Sequence, residues 1–340
     1  SFPNITTDMQ ETLASTANFS ITKSTHSTYK TAMKMWNRCR DETGMTGNLP
    51  ATEADILTYV AWLLKRNLNG SSIDSYLAGI RAAHLSKGMN PPQLRTSLIK
   101  AVIAGKTHSD QAEKRAGKKR NRLPVTPTML KILKQELYNS SLCKLDKLAA
   151  WSAATLIYFG CMRPGEILCR NVKTFDPDYS LLNRDMKEKV EQSNNTVTKS
   201  LQIFLKSDKT DRQGKGRLID IYSCNSGLCP VKAFRKYKNA ESTADPGKPV
   251  FRLQSGKPYT TSTFNKHLKL FLGKHVDTES AYVSGHSLRA GIASLAEVLG
   301  YSETEIKEIG RWSSDAFSVY LKLPSSRRAK IARELAQLNL

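Results

Sequence analysis

Apolar residues recur at helical spacing along the first third of the chain. The pattern becomes helical near residue 24, and the segment 52–68 opens with Thr52 and Asp55 at capping-box spacing. A second segment places four apolar residues on one face: Ile73, Tyr76, Leu77 and Ile80. A third segment is opened by Pro91 and Pro92 and has an apolar face of Leu94, Leu98 and Val102. Because no strand pattern interrupts them, these segments predict a small helical bundle over residues 23–110.

The pattern changes after Leu123 and predicts a second domain over residues 123–326. Helices are expected at 127–139 and 145–160, and helical periodicity returns from residue 230. Between them, two strand-like segments flank a polar turn, SLQIFLK at 200–206 and RLIDIY at 217–222. The sequence therefore predicts a mainly α fold with a small antiparallel β-sheet.

Three polar segments lie outside these two domains. Residues 1–22 are rich in Thr and Ser and predict an arm, while residues 111–122 hold six Lys and Arg against one acid and predict a basic linker. At the other end, residues 327–340 predict a helix with an apolar stripe of Ile331, Leu335 and Leu338. Such a helix could pack on its own domain or on a neighbouring subunit.

The charge of the chain indicates a polyanionic partner. The formal net charge is +22, and residues 1–110 account for only +4 of it. We expect nucleic acid rather than an acidic membrane, because no basic amphipathic anchor helix or long apolar run accompanies the charge. Neither a signal peptide at the start nor a C-x-x-C pair is seen, so an intracellular protein with six reduced cysteines and no structural metal is expected.

A few residues stand out as candidates for chemistry. His286 and Arg289 lie three apart at the start of a predicted helix, where Gly285 and Gly291 allow close backbone approach. A guanidinium can hold a phosphate oxygen while an imidazole exchanges a proton. Tyr320 follows in the same region, although a buried core tyrosine is the commoner explanation of such a residue.

A second arginine occupies a turn between two predicted helices. Arg163 stands between a hydrophobic helix and a proline, a place that favours an arginine only if it has a partner. Glu166, three residues on, could orient its guanidinium or cap the next helix.

In this order, the motifs resemble those of the tyrosine recombinases, the phage-integrase type of site-specific recombinase. They are G-x-x-R-x-x-E at Arg163, a lysine in a β-hairpin, H-x-x-R at His286, G-R-W at 310–312, and Tyr320. The stretch 287–321 is especially similar to recombinases of eukaryotic DIRS and Crypton mobile elements. The resemblance implies a two-domain DNA clamp, with a core-binding domain at 23–110 and a catalytic domain at 123–326.

The resemblance also implies a role for each site residue. Arg163 and Arg289 would hold the scissile phosphate, His286 would assist proton transfer, and Tyr320 would attack phosphorus to form a 3′-phosphotyrosyl link, with neither ATP nor metal required. Lys209 would protonate the leaving 5′-oxygen, with Lys206 as a rival.

One position of the family pattern is in doubt by a single residue. The family has a His or Trp that donates a hydrogen bond to the phosphate. Residue type favours Trp312, because an indole N–H is a donor, whereas counting back from Tyr320 without a gap gives Arg311.

Further expectations concern partners and location. The resemblance implies double-stranded DNA as the partner, a dimer on one site, a tetramer on two synapsed sites, and a nuclear location, and the basic linker resembles a nuclear-import cluster. The alternatives are a type IB topoisomerase, a domesticated DNA-binding protein that has lost catalysis, and a cationic scaffold unrelated to DNA.

Overall fold

The computed structural model divides the chain into two compact units, Ser1–Lys119 and Arg120–Leu340. It describes residues 23–116, 120–172, 175–193, 196–206, 215–241, 245–277 and 281–312, with isolated positions 6, 8–9, 12 and 15–16 before them. The division falls within the predicted basic linker. Tyr320, Lys209 and the predicted helix at 327–340 lie outside the described residues, as does most of the predicted arm.

The described part of the first unit is built from four helices. They are α1 (Lys23–Thr43), α2 (Glu53–Lys65), α3 (Gly70–Leu85) and α4 (Ser97–Arg115). The predicted capping box begins α2: Thr52 Oγ1 accepts from Asp55 N–H at 3.1 Å, and Asp55 Oδ2 accepts from Thr52 N–H at 2.9 Å. These bonds satisfy N–H groups that have no partner within the helix.

The last helix of this unit differs from its prediction at both ends. It begins at Ser97 rather than at Pro91 and Pro92, because Thr96 Oγ1 accepts from Ile99 N–H at 3.3 Å and caps the first turn there. It also continues to Arg115, so that the first five residues of the predicted basic linker are helical. An ion pair one turn apart, Lys106 to Asp110 at 2.9 Å, supports the second half of the helix.

The second unit is mainly helical. Its helices are α5 (Pro127–Asn139), α6 (Lys144–Phe159), α7 (Pro164–Ile167), α8 (Pro230–Ala240), α9 (Thr261–Leu272), α10 (Gly285–Val298) and α11 (Glu303–Gly310). Its strands are β1 (Asn121–Arg122), β2 (Met186–Ser193), β3 (Thr196–Leu205), β4 (Arg217–Tyr222) and β5 (Ala281–Tyr282). Residues 148–158 of α6 are buried without interruption, so this helix forms the centre of the core.

The predicted hairpin is part of a larger sheet. β3 and β4 pair antiparallel with Ile203 opposite Ile219, and β2 pairs antiparallel with β3 to give a sheet of three strands. The strand β2 was not predicted from the sequence pattern. Its sequence, MKEKVEQS, is polar because the strand is at the sheet edge, and pairing with β3 holds it in place.

The helix that carries His286 and Arg289 packs very closely on its neighbours. The two-residue strands β1 and β5 pair in parallel, and Val125 N–H then donates to Ser287 O at 2.9 Å. A Cβ added at Gly291 would lie 2.0 Å from Val125 O, and one at Gly285 would lie 2.4 Å from Pro164 Cγ. The predicted close backbone approach at these two glycines is therefore present.

Gly291→Ala should destabilise the protein strongly. The new methyl group would collide with a main-chain oxygen that cannot rotate away, so we expect a cost at or above the upper end of the about 1–3 kcal/mol typical of overpacking. Gly165→Ala is the matched control, because a Cβ there has no atom within 4 Å. Urea denaturation of both variants measures the difference, and equal unfolding free energies would contradict the packing described.

The six cysteines are free thiols, and four of them are buried: Cys39, Cys161, Cys169 and Cys229. Within the described ranges, no helix is long and apolar enough to cross a membrane, and no cluster of metal-ligating side chains is found.

Candidate active site

The turn after α6 positions two arginine side chains of the site. Cys161 has φ +44°, a left-handed conformation that costs a residue other than glycine about 1–3 kcal/mol. Its carbonyl accepts hydrogen bonds from Arg289 Nη1 and from Arg311 Nη2, the latter at 3.3 Å. Two arginines distant in sequence are thereby brought to one main-chain oxygen.

Arg163 is held by the residue predicted to hold it. Its Nη1 donates to Glu166 Oε1 at 2.8 Å, and its main-chain N–H donates to Glu166 Oε2 at 2.8 Å. The carboxylate therefore both orients the guanidinium and caps α7, the two roles that the sequence suggested. The Glu166 side chain is only 6% exposed, which strengthens its electrostatic interactions.

Arg289 is buried, at 2% exposure. Nη1 donates to Cys161 O, Nη2 donates to Gly310 O, and Cζ lies 4.7 Å from the centre of the Trp312 ring. Burial is the main cause that lowers the pKa of Arg289, but a guanidinium remains charged at any physiological pH. The described bonds use two of its five N–H donors.

Arg311 and Trp312 are adjacent but contact different partners. Arg311 ends α11 with φ +55°, and its Nη2 donates to Glu166 Oε2 at 2.8 Å. Trp312 lies instead against Arg289. A Cβ at Gly310 would lie 1.6 Å from Trp312 Cζ3, so only glycine leaves room for the ring.

His286 is the second residue of α10 and is exposed. Partial desolvation of the ring lowers the pKa of His286, and the positive charges of Arg122, Arg289 and Arg163 lower it further, against an opposing effect of Glu166. The imidazole is therefore neutral at pH 7 and able to accept a proton.

The pH dependence of any reaction that uses His286 as a base should reflect this lowered pKa. The reaction rate should hold below pH 6.5, the ordinary histidine value, and fall only as the pH drops through the lowered pKa. Arg122→Gln removes a nearby positive charge and should shift the acid limb of the rate profile to higher pH. Arg184→Gln removes the same charge from an exposed position that does not act on His286, and should leave the limb in place. Identical profiles for the two variants would contradict the role of Arg122.

Lys206, the rival for the catalytic lysine, already has three acceptors. Its Nζ pairs with Asp185 Oδ2 at 2.7 Å and donates to Pro177 O at 2.8 Å and Ser180 O at 3.3 Å. Three contacts match the three donors of an ammonium group, so Lys206 anchors the end of β3. Lys209 stays a prediction.

The structure thus brings four predicted residues into one region: Arg163, Arg289, His286 and Trp312. The contact of Arg311 with Glu166 and the effect of Arg122 on His286 were not predicted from the sequence. The charge of a residue does not distinguish either arginine from the many others. For Arg311 there was one signal, because counting back from Tyr320 without a gap gives Arg311. The place of Tyr320 relative to these residues is not described.

The cluster brings the guanidinium groups of Arg163 and Arg311 to one carboxylate, Glu166. The guanidinium of Arg289 and the neutral imidazole of His286 are close enough to be affected by the charge of Glu166. Guanidinium groups bind phosphate oxygens in bidentate fashion, and in a buried setting they stabilise the negative charge of a phosphoryl transition state. The arrangement suits a tetrahedral oxyanion.

Comparison with solved structures shows which proteins share this fold. The chain is similar to the XerH site-specific recombinase bound to palindromic difH substrate, with 12% identity over 89% of this chain and 76% of that chain and a TM-score of 0.56. The Tn1549 transposon integrase in complex with transposon right end DNA has 14% identity over 97% and 99%, and a TM-score of 0.56. The lambda integrase dimer bound to a COC′ core site has 16% identity over 94% and 77%, and a TM-score of 0.55.

The chain has the tyrosine recombinase fold. The predicted fold class, mainly α with a small antiparallel sheet, is confirmed. By sequence, no family model and no curated protein matches the chain. Identities of 12 to 16% show the fold alone, so the assignment of function depends on the site.

Proposed function

We propose that the protein is a site-specific DNA recombinase that cuts and rejoins strands through a 3′-phosphotyrosyl intermediate on Tyr320. The observation that carries the proposal is the convergence of Arg163 and Arg289 beside His286, on a tyrosine recombinase fold. The matched folds belong to recombinases and integrases, several of them bound to DNA, and the net charge of +22 suits the same partner.

The chemistry proposed for the site exchanges one phosphodiester for another. Arg163 and Arg289 would bind the non-bridging oxygens of the scissile phosphate and stabilise the charge of the pentacoordinate transition state. The Tyr320 oxygen would form a bond to phosphorus as the bond to the 5′-oxygen breaks, with neutral His286 taking the phenolic proton and Lys209 protonating the leaving oxygen. Attack by the 5′-hydroxyl of a second strand would reverse the step, so the bond energy is conserved and no ATP is consumed.

The finer parts of the proposal are the element and its location. The similarity of residues 287–321 to DIRS and Crypton recombinases supports movement of a eukaryotic mobile element, and with it a nuclear location. We further propose assembly as a dimer on one site and a tetramer on two, with the helix at 327–340 reaching a neighbouring subunit. The apolar stripe of that segment supports the last point.

A suicide DNA substrate built from the ends of the mobile element tests the proposal. A nick a few nucleotides to the 3′ side of the scissile phosphate lets the short fragment with the free 5′-hydroxyl diffuse away, so the protein should remain covalently attached to the 3′-phosphate and migrate slowly on a denaturing gel. Binding without attachment would indicate a domesticated DNA-binding protein. Relaxation of any supercoiled plasmid, irrespective of sequence, would indicate a type IB topoisomerase instead.

A further inference from the structure

The chain places an arginine and a tryptophan side by side after α11, and each has its own partner. We infer that Arg311 is a positioning residue, which shares Glu166 with Arg163 and thereby leaves Arg163 able to bind the scissile phosphate. Trp312 covers Arg289 instead. The inference rests on the proposed function and deepens it.

The carboxylate of Glu166 is divided between the two arginines. Oε1 accepts from Arg163 Nη1 at 2.8 Å, while Oε2 accepts from Arg163 N–H and from Arg311 Nη2, each at 2.8 Å. The side chains of Glu166 and Arg311 are 6% and 7% exposed, so their attraction is little screened by solvent. Both oxygens are therefore fixed in direction.

The donors of Arg311 face the protein rather than a ligand. Nη1 donates to Gly160 O at 3.2 Å, and Nη2 donates to Cys161 O as well as to Glu166. Nε is enclosed, without accessible surface and without a hydrogen-bond partner among the described residues. Arg311 is therefore unlike the family's His or Trp, which would donate to the phosphate.

The sharing of Glu166 has a consequence for Arg163. A buried carboxylate with a single cationic partner holds that partner tightly, and a phosphate must compete with it. With Arg311 as a second partner, Glu166 keeps Arg163 oriented but attracts it less strongly. Loss of Arg311 should therefore slow the reaction by tightening the Arg163–Glu166 pair, and loss of Glu166 should relieve part of that effect.

A double-mutant cycle tests this coupling. Single-turnover cleavage of the suicide substrate is measured for Arg311→Gln, Glu166→Gln and the double variant, with Arg184→Gln as the charge-matched control. We expect Arg311→Gln to cleave about 10–100-fold more slowly, as for other outer-shell positioning groups. The double variant should be no slower than the slower single variant. Effects that multiply would overturn the inference, since they would show that the two residues act independently.

Two further experiments distinguish a positioning role of Arg311 from direct contact with the phosphate and from a purely structural role. A methylphosphonate at the scissile position removes the phosphate charge, so it should reduce the penalty of losing a group that binds that charge. Because Arg311 acts through Arg163, we expect Arg311→Gln to carry no further penalty in an Arg163→Gln background on either substrate. A penalty in that background that falls on the methylphosphonate would show a direct phosphate contact of Arg311 and would overturn the inference. Arg311→Lys should recover most of the cleavage rate, because an ammonium can still pair with Glu166.

Failure of the proposed function would be seen separately. If the folded wild-type protein forms no adduct, the recombinase assignment fails. The double-mutant cycle of Arg311 and Glu166 is then measured by thermal unfolding instead of cleavage. The shifts in Tm of the two single variants should be strongly non-additive. Additive shifts would overturn the Arg311–Glu166 coupling itself.

Discussion

Tyr320→Phe should abolish covalent attachment of the protein to a suicide DNA substrate. The substitution removes one oxygen and keeps the ring, so it deletes the proposed nucleophile with little change in packing. We expect adduct formation to fall on the order of 10⁴-fold or more, the scale seen when an enzyme loses its nucleophile. DNA binding should persist, because the positive charge of the chain is unchanged.

The control for this experiment is Tyr301→Phe, which removes the hydroxyl of an exposed tyrosine in the same unit. It should form the adduct at the wild-type rate. An adduct that survives Tyr320→Phe would sink the assignment of the nucleophile, and mapping the attached peptide would then identify the residue responsible.

Arg289→Lys should have the second largest effect. Lysine keeps the positive charge but cannot reach Cys161 O and Gly310 O while also presenting a planar fork to a phosphate. It also loses the stacking of the guanidinium on Trp312. We expect single-turnover cleavage to fall by about 10²–10³-fold, the loss typical when one group that stabilises a developing oxyanion is removed.

The same preparation should bind DNA nearly as well as the wild type, because one of many cations has been replaced by another. Thermal unfolding distinguishes chemistry from folding: a variant that retains its Tm and its DNA affinity but not its cleavage rate has lost transition-state stabilisation. Cleavage at the wild-type rate would contradict the role of Arg289. Lys131→Arg on the surface of α5 is a suitable reciprocal control.

Local patterns predicted much of the fold. The helix α5 has the bounds predicted from periodicity. Thr126 precedes it and accepts from Met129 N–H at 3.2 Å, and Pro127 occupies the first turn. Such features involve neighbours within four residues, so they can be read directly from the chain. The strand β2 lacked such a signal, because its polar residues take their conformation from pairing with β3.

The sequence predicted the local contact of the candidate site but not its long-range contacts. Arg163 and Glu166 lie within one turn of each other, and their hydrogen bond follows from spacing alone. The partner of Arg311 could not be predicted in this way. Glu166 lies 145 residues before Arg311 in the chain, and from the sequence several other acidic residues were equally plausible partners.

By itself, the sequence determined the helical periodicity, the caps and the close approach at Gly285 and Gly291. It also supplied the arginine and histidine side chains of the candidate site. Only the tertiary structure decided that Arg311 pairs with Glu166 while Trp312 covers Arg289, and that Lys206 is occupied by Asp185. The physical reason is the range of the interactions. Capping and periodicity act within a turn, whereas ion pairs and ring stacking depend on which distant segments the buried core brings together.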